Sequence, residues 1–189
     1  MTQKRLFFLA LSLLFAGITL AQGGDKFLTR DGKLKFDATA TSSPEKIEAL
    51  SNSATCILDA ATGDMAWQVQ IKGFKFEKAL MQEHFNENYL ESDKYPKAVF
   101  KGKITNLAEV NLKNEGTYNA IVTGKLTMHG VEKEVTTNGA LTVKDGKIQI
   151  NTGFAVRLAD FNIKIPSVVS ANIAKEAKIL IDATLMPKS

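Results

Sequence analysis

Apolar and polar residues alternate with a period of two along most of this chain. The alternation is clearest in four runs, whose apolar sets begin at Met65, Tyr118, Ile148 and Ile179. Successive side chains of a β-strand point to opposite faces of its sheet, so this alternation predicts strands with one buried face. Roughly eight or nine such runs follow one another at short spacing. The pattern predicts an all-β, antiparallel fold.

Glycine-containing turn motifs lie between and around these runs. They are Asp31-Gly32, Thr62-Gly63-Asp64, Asn138-Gly139 and Asp145-Gly146. Asp-Gly and Asn-Gly readily supply the positive φ that tight hairpins require, so each motif is expected to mark a turn. There is no internal repeat and no linker-like segment. The chain is therefore predicted to form one β-sandwich or β-barrel.

One segment departs from the alternation. From Glu77 to Leu90 the larger apolar residues recur at a spacing of three and four, among them Leu80, Met81 and Phe85. That spacing is typical of a short amphipathic helix. Its apolar stripe must contact another part of the fold, and in a barrel an open end or a flank offers such a place. The segment is thus a candidate lid.

The inward positions of the predicted strands mix large and small side chains. Trp67 and Phe100 are large, whereas Gly102, Gly124 and Ala183 are small. A barrel of about eight strands is either just filled by its side chains or holds one small ligand. The pattern alone is compatible with both a packed and a hollow barrel.

The first residues have the composition of a secretory signal peptide. Lys4 and Arg5 precede the apolar run Leu6–Leu20, and small residues surround Ala21. The run is shorter than the roughly 20 residues that a membrane-spanning helix needs. We predict a cleaved signal over residues 1–21, one domain over residues 22–189, and a periplasmic or secreted protein.

Charge and cysteine content exclude some classes of protein. Lys and Arg number 24 against 20 Asp and Glu, which gives a net charge of +4. Two of these positive charges lie in the predicted signal, and the others are interspersed with acidic residues, so no nucleic-acid partner is expected. Cys56 is the single cysteine. It lies in a β-rich run and is predicted to be a small buried residue without a disulfide partner.

The chain offers little catalytic chemistry. Its two histidines, His84 and His129, are few for a metal site, and His129 is better explained as a turn residue before Gly130. The serines at positions 42–53 have no histidine near them in sequence, and Asp160 is expected in a loop. We predict a protein that is not an enzyme and has no cofactor. A metal-assisted hydrolase that uses both histidines is retained as an alternative.

Three segments resemble the YceI-like family of secreted lipid-binding proteins. They are MQEHF…YLESDKYPKAVF at 81–100, GKLTMHGVEK at 124–133 and FAVRLADFNIKIP at 154–166. The resemblance extends from about Leu34 to Leu185. It is looser in the third segment, where Phe161 occupies a position that is usually aromatic but Leu158-Ala159 lies in a variable stretch. The resemblance implies an extended lipocalin-like barrel with a long hydrophobic channel. Proteins of this family are commonly periplasmic and are associated with polyisoprenoid chains, including isoprenoid quinones.

This implication favours the hollow barrel and a carrier or scavenger of an isoprenoid lipid or quinone in the cell envelope. The residues expected to contact the ligand share the inward phase or lie on the candidate lid: Trp67, Val69, Ile71, Phe74, Phe76, Leu80, Met81, Phe85, Phe100, Tyr118, Leu126, Phe154 and Ile181. A non-catalytic envelope interaction protein with a packed barrel is the second hypothesis. A homodimer and transient contact with a membrane surface are also open.

Overall fold

The structure is a computed structural model that describes residues 25–188. The predicted signal peptide at residues 1–21 lies outside the described residues. The strands of the described part are β1 (Lys26–Thr39), β2 (Glu48–Asp59), β3 (Asp64–Gln70), β4 (Lys75–Phe76), β5 (Lys97–Ile104), β6 (Gly116–Met128), β7 (Val131–Lys144), β8 (Lys147–Arg157) and β9 (Ile173–Pro187).

Eight of these strands close into an antiparallel barrel. Their order around the barrel is β1-β9-β8-β7-β6-β5-β3-β2, and pairing of β1 with β2 completes the circle. The two-residue strand β4 pairs only with β2, at Ala49 and Leu50. Closure gives each of the eight strands a partner on both sides, although β7 and β8 pair over only part of their length. Such closure is how antiparallel barrels limit edge-to-edge association. The predicted eight-stranded, lipocalin-like barrel is confirmed.

The period-two pattern identifies the inner face correctly. Met65, Trp67 and Val69 of β3 are buried, while the residues between them are more exposed. Ile148 and Ile150 of β8 are buried in the same way. Burial of alternate apolar side chains inside the barrel supplies the main driving force for this fold, because apolar surface is removed from water.

Two of the four predicted turns are wrong. Asp31-Gly32 lies inside β1, where the pairing with β2 shifts register as in a β-bulge. Asn138-Gly139 lies inside β7, and a Cβ added to Gly139 would stand 2.7 Å from the Cβ of Thr152. This glycine accommodates the close approach of the neighbouring strand β8.

The other two motifs do form turns. Gly63 has a φ of 77° between β2 and β3, and Asp145 and Gly146 have φ values of 50° and 69° between β7 and β8. Positive φ at both central residues gives the hairpin turn that matches the twist of the flanking strands.

The predicted helix is present but is interrupted. An α-helix, α1 (Ala79–His84), continues into a π-helical turn, Phe85–Tyr89. The wider turn is closed by the Leu90 N–H, which donates to the Phe85 carbonyl at 2.9 Å. Such turns bring a side chain out of the regular helical register, and here Phe85 is buried. None of the helices within residues 25–188 combines the length and hydrophobicity needed to cross a membrane.

The barrel has two different ends. We call "closed end" the one that contains the β2–β3 and β7–β8 turns, where large apolar side chains are fully buried: Leu58, Ile104, Leu141, Ile148 and Leu185. We call "lid end" the opposite one, where the longer connections 71–96 and 158–172 and the β6–β7 turn lie. The binding residues predicted on the helix therefore lie at the lid end.

Candidate functional site

The barrel encloses a cavity of about 130 Å³, which we call the lumen. All eight barrel strands contribute side chains to its wall, and almost all of them are apolar. The interior is therefore not filled by its own side chains. Apolar walls with few polar groups are typical of sites for apolar ligands.

Most of the predicted binding residues are brought together at this wall. Those that line the lumen are Trp67, Val69, Ile71, Phe74, Phe85, Phe100, Leu126, Phe154 and Ile181. Strand alternation placed the β-strand members on the inner face. Ile71 and Phe74 continue that face beyond β3, where a 3₁₀ turn at Ile71–Gly73 folds the chain over the lid end.

The remaining predicted residues lie elsewhere. Phe76 and Met81 line a second cavity at the lid end, and Leu80 is 61% exposed and lines neither cavity. Tyr118 has the inward phase, but its hydroxyl donates to the Asn114 carbonyl at 3.1 Å, and its side chain does not line the lumen. A tyrosine hydroxyl that is partly removed from water needs an acceptor, and the loop carbonyl provides it.

Several lumen residues were not predicted. Leu34 and Phe36 alternate with Lys35 in β1, so the period-two pattern carried a signal for them. Leu158 and Ile163 come from the β8–β9 connection, where there is no strand periodicity to follow. Only the folding of that connection over the lid end places them at the cavity.

The hydroxyl groups in the lumen wall are already occupied. Thr137 and Thr152 hydrogen-bond to each other, with 3.0 Å between their Oγ1 atoms. Thr152 Oγ1 also donates to the Asn138 carbonyl at 2.8 Å. Buried hydroxyls that bond within the protein leave little to bind a polar ligand group. The lumen therefore presents mainly apolar surface.

A cluster of aromatic side chains separates the lumen from the second cavity. The second cavity, which we call the lid cavity, has a volume of about 210 Å³. Phe85 lines both cavities, and its ring centroid lies 5.3 Å from that of Phe36, 5.9 Å from Phe74 and 5.0 Å from Phe76. Edge and tilted contacts of this kind stabilise aromatic pairs. Phe85 therefore lies at the centre of the partition between the two cavities.

The lid cavity is more polar than the lumen. His84, Tyr89 and Asn172 contribute to its lining beside the apolar residues. Burial raises the pKa of the Tyr89 hydroxyl. Like any tyrosine hydroxyl at physiological pH, it is neutral and able to donate a hydrogen bond. Glu45 also lines this cavity, but its carboxylate pairs with Lys78 at 2.7 Å.

His129 joins three segments of the lid end. Its Nδ1–H donates to the Phe161 carbonyl at 2.8 Å, and its Nε2 lies 2.7 Å from Glu91 Oε2. The side chain is only 9% exposed, and the Tyr95 ring packs edge-on against it at 4.8 Å. Because Nδ1 carries the proton that is donated to the Phe161 carbonyl, the contact between Nε2 and Glu91 Oε2 requires a further proton, on either Nε2 or the Glu91 carboxyl group.

The backbone is unusual at each of these three segments. Glu91, His129 and Asn162 have φ values of 41°, 50° and 59°, which few non-glycine residues adopt. His129 occupies the β6–β7 turn, as predicted, but no local sequence pattern indicated its two hydrogen-bond partners, Glu91 and Phe161. Such backbone conformations persist where surrounding contacts hold them, and here the imidazole supplies those contacts.

The residues considered for catalysis do not assemble into a site. Within residues 25–188, no group of three or more His, Cys, Asp or Glu side chains could hold a metal ion. His84 lines the lid cavity, whereas His129 is bonded to Glu91 and Phe161. Cys56 is fully buried, as predicted, and burial raises the pKa of its thiol.

A closed antiparallel barrel with an apolar lumen defines the class of protein, a lipocalin-like barrel. Within this class, the family model described as a YceI-like domain matches residues 19–185. The chain therefore belongs to the YceI-like family, which confirms the resemblance seen in its three sequence segments.

Solved structures share this fold. A polyisoprenoid binding domain from Saccharophagus degradans, implicated in plant cell wall breakdown, is 11% identical with a TM-score of 0.73, covering 87% of this chain and 99% of that one. BcnA from Burkholderia cenocepacia is 18% identical with a TM-score of 0.64, covering 82% and 95%. The Campylobacter jejuni YceI protein is 20% identical with a TM-score of 0.55, covering 72% and 81%.

At these identities the likeness shows the fold alone. No curated protein matches the sequence.

Proposed function

We propose that this protein binds a long-chain apolar ligand, a polyisoprenoid or an isoprenoid quinone, in the barrel lumen. It acts as a carrier or scavenger in the cell envelope, without catalysing a reaction. The observation that carries this proposal is the lumen itself. All eight barrel strands contribute to its wall, and almost all of the lining side chains are apolar. The structurally similar protein from Saccharophagus degradans is a polyisoprenoid binding domain, and this supports the choice of ligand class.

The energetics suit such a ligand. Burying apolar surface yields about 25 cal/mol per Å² removed from water. A tail that buries several hundred Å² gains on the order of 10 kcal/mol before the losses from ordering are subtracted. An isoprenoid tail has no hydrogen-bonding groups, so the occupied hydroxyls of Thr137 and Thr152 are no disadvantage.

The size of the lumen limits what can bind without rearrangement. Its 130 Å³ is similar to an engineered apolar cavity of about 150 Å³ that binds benzene. A tail of several isoprene units is larger than this. Its uptake therefore requires rotation of lumen side chains, and movement of Phe85 would join the lumen to the lid cavity. The more polar lining of the lid cavity would then suit the oxygen-bearing end of a quinone or a polyprenol.

The proposed location is the periplasm or the extracellular space, supported by the signal-like residues 1–21. Homodimerisation and transient contact with a membrane surface stay predictions. Light scattering of the purified protein measures the first, and flotation with anionic lipid vesicles measures the second.

The test uses the chain without residues 1–21. Trp67 is its single tryptophan and lines the lumen, so a bound quinone should quench its fluorescence. We expect saturable quenching by a short-chain ubiquinone, and competition by squalene, which has a similar tail and no head group. Absence of both effects, together with absence of lipid in an organic extract of the protein from its native host, would contradict the proposal.

A further inference from the structure

The barrel wall forks between β7 and β8. Residues Gly139–Lys144 of β7 pair with residues Lys147–Thr152 of β8, and the pairing of these two strands ends there. Towards the lid end, residues 131–138 of β7 and 153–157 of β8 are not paired with each other. Their other edges remain paired, β7 with β6 as far as Val131 and β8 with β9 as far as Arg157. The β7–β8 seam therefore ends at Gly139 and Thr152, while the β6–β7 and β8–β9 seams on either side of it continue.

Side chains at the fork are less buried than those below it. Val135, Thr137 and Phe154 line the lumen and yet are only half-buried. Leu141 and Ile150, which lie on the same inner face where β7 and β8 are paired, are buried. Val156, in the unpaired part of β8, also lines the lumen but is buried, and the turn Leu158–Phe161 contacts β7 above it. The exposed part of the lumen wall is therefore confined to the level of Val135, Thr137 and Phe154.

Strand β6 also extends beyond a neighbouring strand, and there the backbone groups of its unpaired edge are hydrogen-bonded by a side chain. β6 extends beyond β5 towards the closed end, and there Asn106 takes the place of a pairing strand. Its side chain accepts from the Ile121 N–H at 2.8 Å and donates to the Asn119 carbonyl at 3.0 Å. The Thr105 N–H donates to the Ile121 carbonyl at 2.8 Å. Such side-chain caps satisfy backbone groups that a ladder would otherwise bond.

At the fork, threonine hydroxyls bond only at its base. Thr152 donates to the Asn138 carbonyl at 2.8 Å, and Thr137 lies 3.0 Å from Thr152 and 3.2 Å from the Gly153 carbonyl. We call these contacts the threonine clasp. Opening the fork further breaks these side-chain hydrogen bonds before it breaks the backbone ladder below them.

We propose that this fork is a side entrance through which an apolar tail passes between β7 and β8 into the lumen. The inference rests on the proposed function and adds the route to it. A flexible isoprenoid tail enters laterally through a slot between Val135 and Phe154 without first passing the aromatic cluster around Phe85. Movement of Phe85 then serves only to make room for a tail that is longer than the lumen. The threonine clasp marks the lower limit of the slot and yields when a bulky tail enters.

The test closes the fork with a cross-link. Continuing the β7–β8 register places Thr136 across the fork from Ala155, and both residues are exposed. The double variant T136C/A155C is joined with a short bis-maleimide. The matched control, A155C/K178C, spans the intact β8–β9 seam, where Ala155 and Lys178 are paired. Native Cys56 is buried and does not compete for the reagent.

Stopped-flow quenching of Trp67 by a short-chain ubiquinone measures the rate of uptake before and after cross-linking. We expect the cross-link over the fork to slow uptake at least tenfold, and the control cross-link to leave the rate unchanged. Equal rates in both cross-linked proteins, with binding intact, would overturn the side entrance and leave the proposed function standing. No quenching in any form of the protein, including the unmodified one, would overturn both.

A second variant tests the clasp without a cross-link. Thr152→Val keeps the shape of the side chain and removes the hydroxyl at the base of the fork. Thr142→Val is the control, because Thr142 makes a similar 3.0 Å contact with Thr117 on the outside of the β6–β7 seam. We expect faster uptake, about threefold or more, for Thr152→Val alone. An unchanged rate in Thr152→Val counts against the proposal.

Discussion

The two ends of this barrel are built from the same strands and yet differ in almost every physical respect. At the closed end, Leu58, Ile148 and Leu185 are fully buried. At the lid end, the interior opens into cavities, and the segments around Glu91 and Asn162 are joined by the buried side chain of His129. Stability is thus concentrated at one end and adaptability at the other.

The connections explain the difference. At the closed end, tight turns at Gly63 and at Asp145-Gly146 hold neighbouring strands together, and the connection 105–115 is fixed to them, as by the Asp145 N–H that donates to Glu115 at 3.1 Å. The lid end is crossed by the long connections 71–96 and 158–172. Long connections are unusual in compact domains and are often functional, as lids or binding loops. A binding site needs the long connections of the lid end. The tightly packed closed end supplies the stability that allows such a site to exist.

The largest expected effect is on the closed end. Leu185→Ala should lower the free energy of unfolding by about 2–5 kcal/mol, because Leu185 is fully buried and the cavity left behind cannot collapse. Leu80→Ala at the exposed surface of α1 should change it by less than about 0.5 kcal/mol. Urea unfolding followed by circular dichroism measures both. Similar losses in the two variants would contradict the tight packing of Leu185 at the closed end.

A smaller effect is expected at the His129 junction. His129→Ala should destabilise the protein by about 1–3 kcal/mol, because buried hydrogen-bond partners lose their contacts. Hydrogen exchange should accelerate in residues 79–95 and 158–163 and remain slow at the closed end.

Two control variants separate the contacts of His129 from its turn conformation. His129→Asn retains a side chain that tolerates positive φ but is too short to reach both partners, so it should behave much like His129→Ala. Glu91→Gln keeps a hydrogen-bonding group near Nε2 and should be milder. If His129→Asn exchanges like the unsubstituted protein, the contacts do not hold the lid end.

Filling the lumen should affect binding more than stability. Ala120 lines the lumen and Ile121, its neighbour in β6, faces outward. Ala120→Phe should weaken quinone binding about tenfold or more, equivalent to about 1.4 kcal/mol, while Ile121→Phe should not. Quenching titrations measure the affinities. Gly124 is less suitable for this purpose, since an added Cβ would lie 2.4 Å from the Cα of Gly102 and disturb the β5–β6 pairing.

The smallest effect is expected for the single thiol. Burial raises the pKa of Cys56, and the side chain is inaccessible, so a maleimide should not label the folded protein at pH 8. Labelling should become complete in urea. Rapid labelling without denaturant would show that the β2–β3 wall opens far more often than the paired strands indicate.

The sequence by itself determined the faces of the strands. Alternation in β3, β6, β8 and β9 identified which side chains point inward, because the two-residue repeat is a local property of an extended backbone. It also identified the lid helix, and the three segments that resemble the YceI-like family indicated the closed barrel. These features need no knowledge of which distant residues meet.

Tertiary structure decided the features that depend on distant partners. Asn138-Gly139 has the composition of a turn, but pairing with strands on both sides keeps it within β7. His129 owes its role to Glu91 and Phe161, which lie 38 and 32 residues away in sequence. The lumen and the fork between β7 and β8 arise from how whole strands close and where their pairing stops. Such spaces are set by packing between elements, which no local repeat encodes.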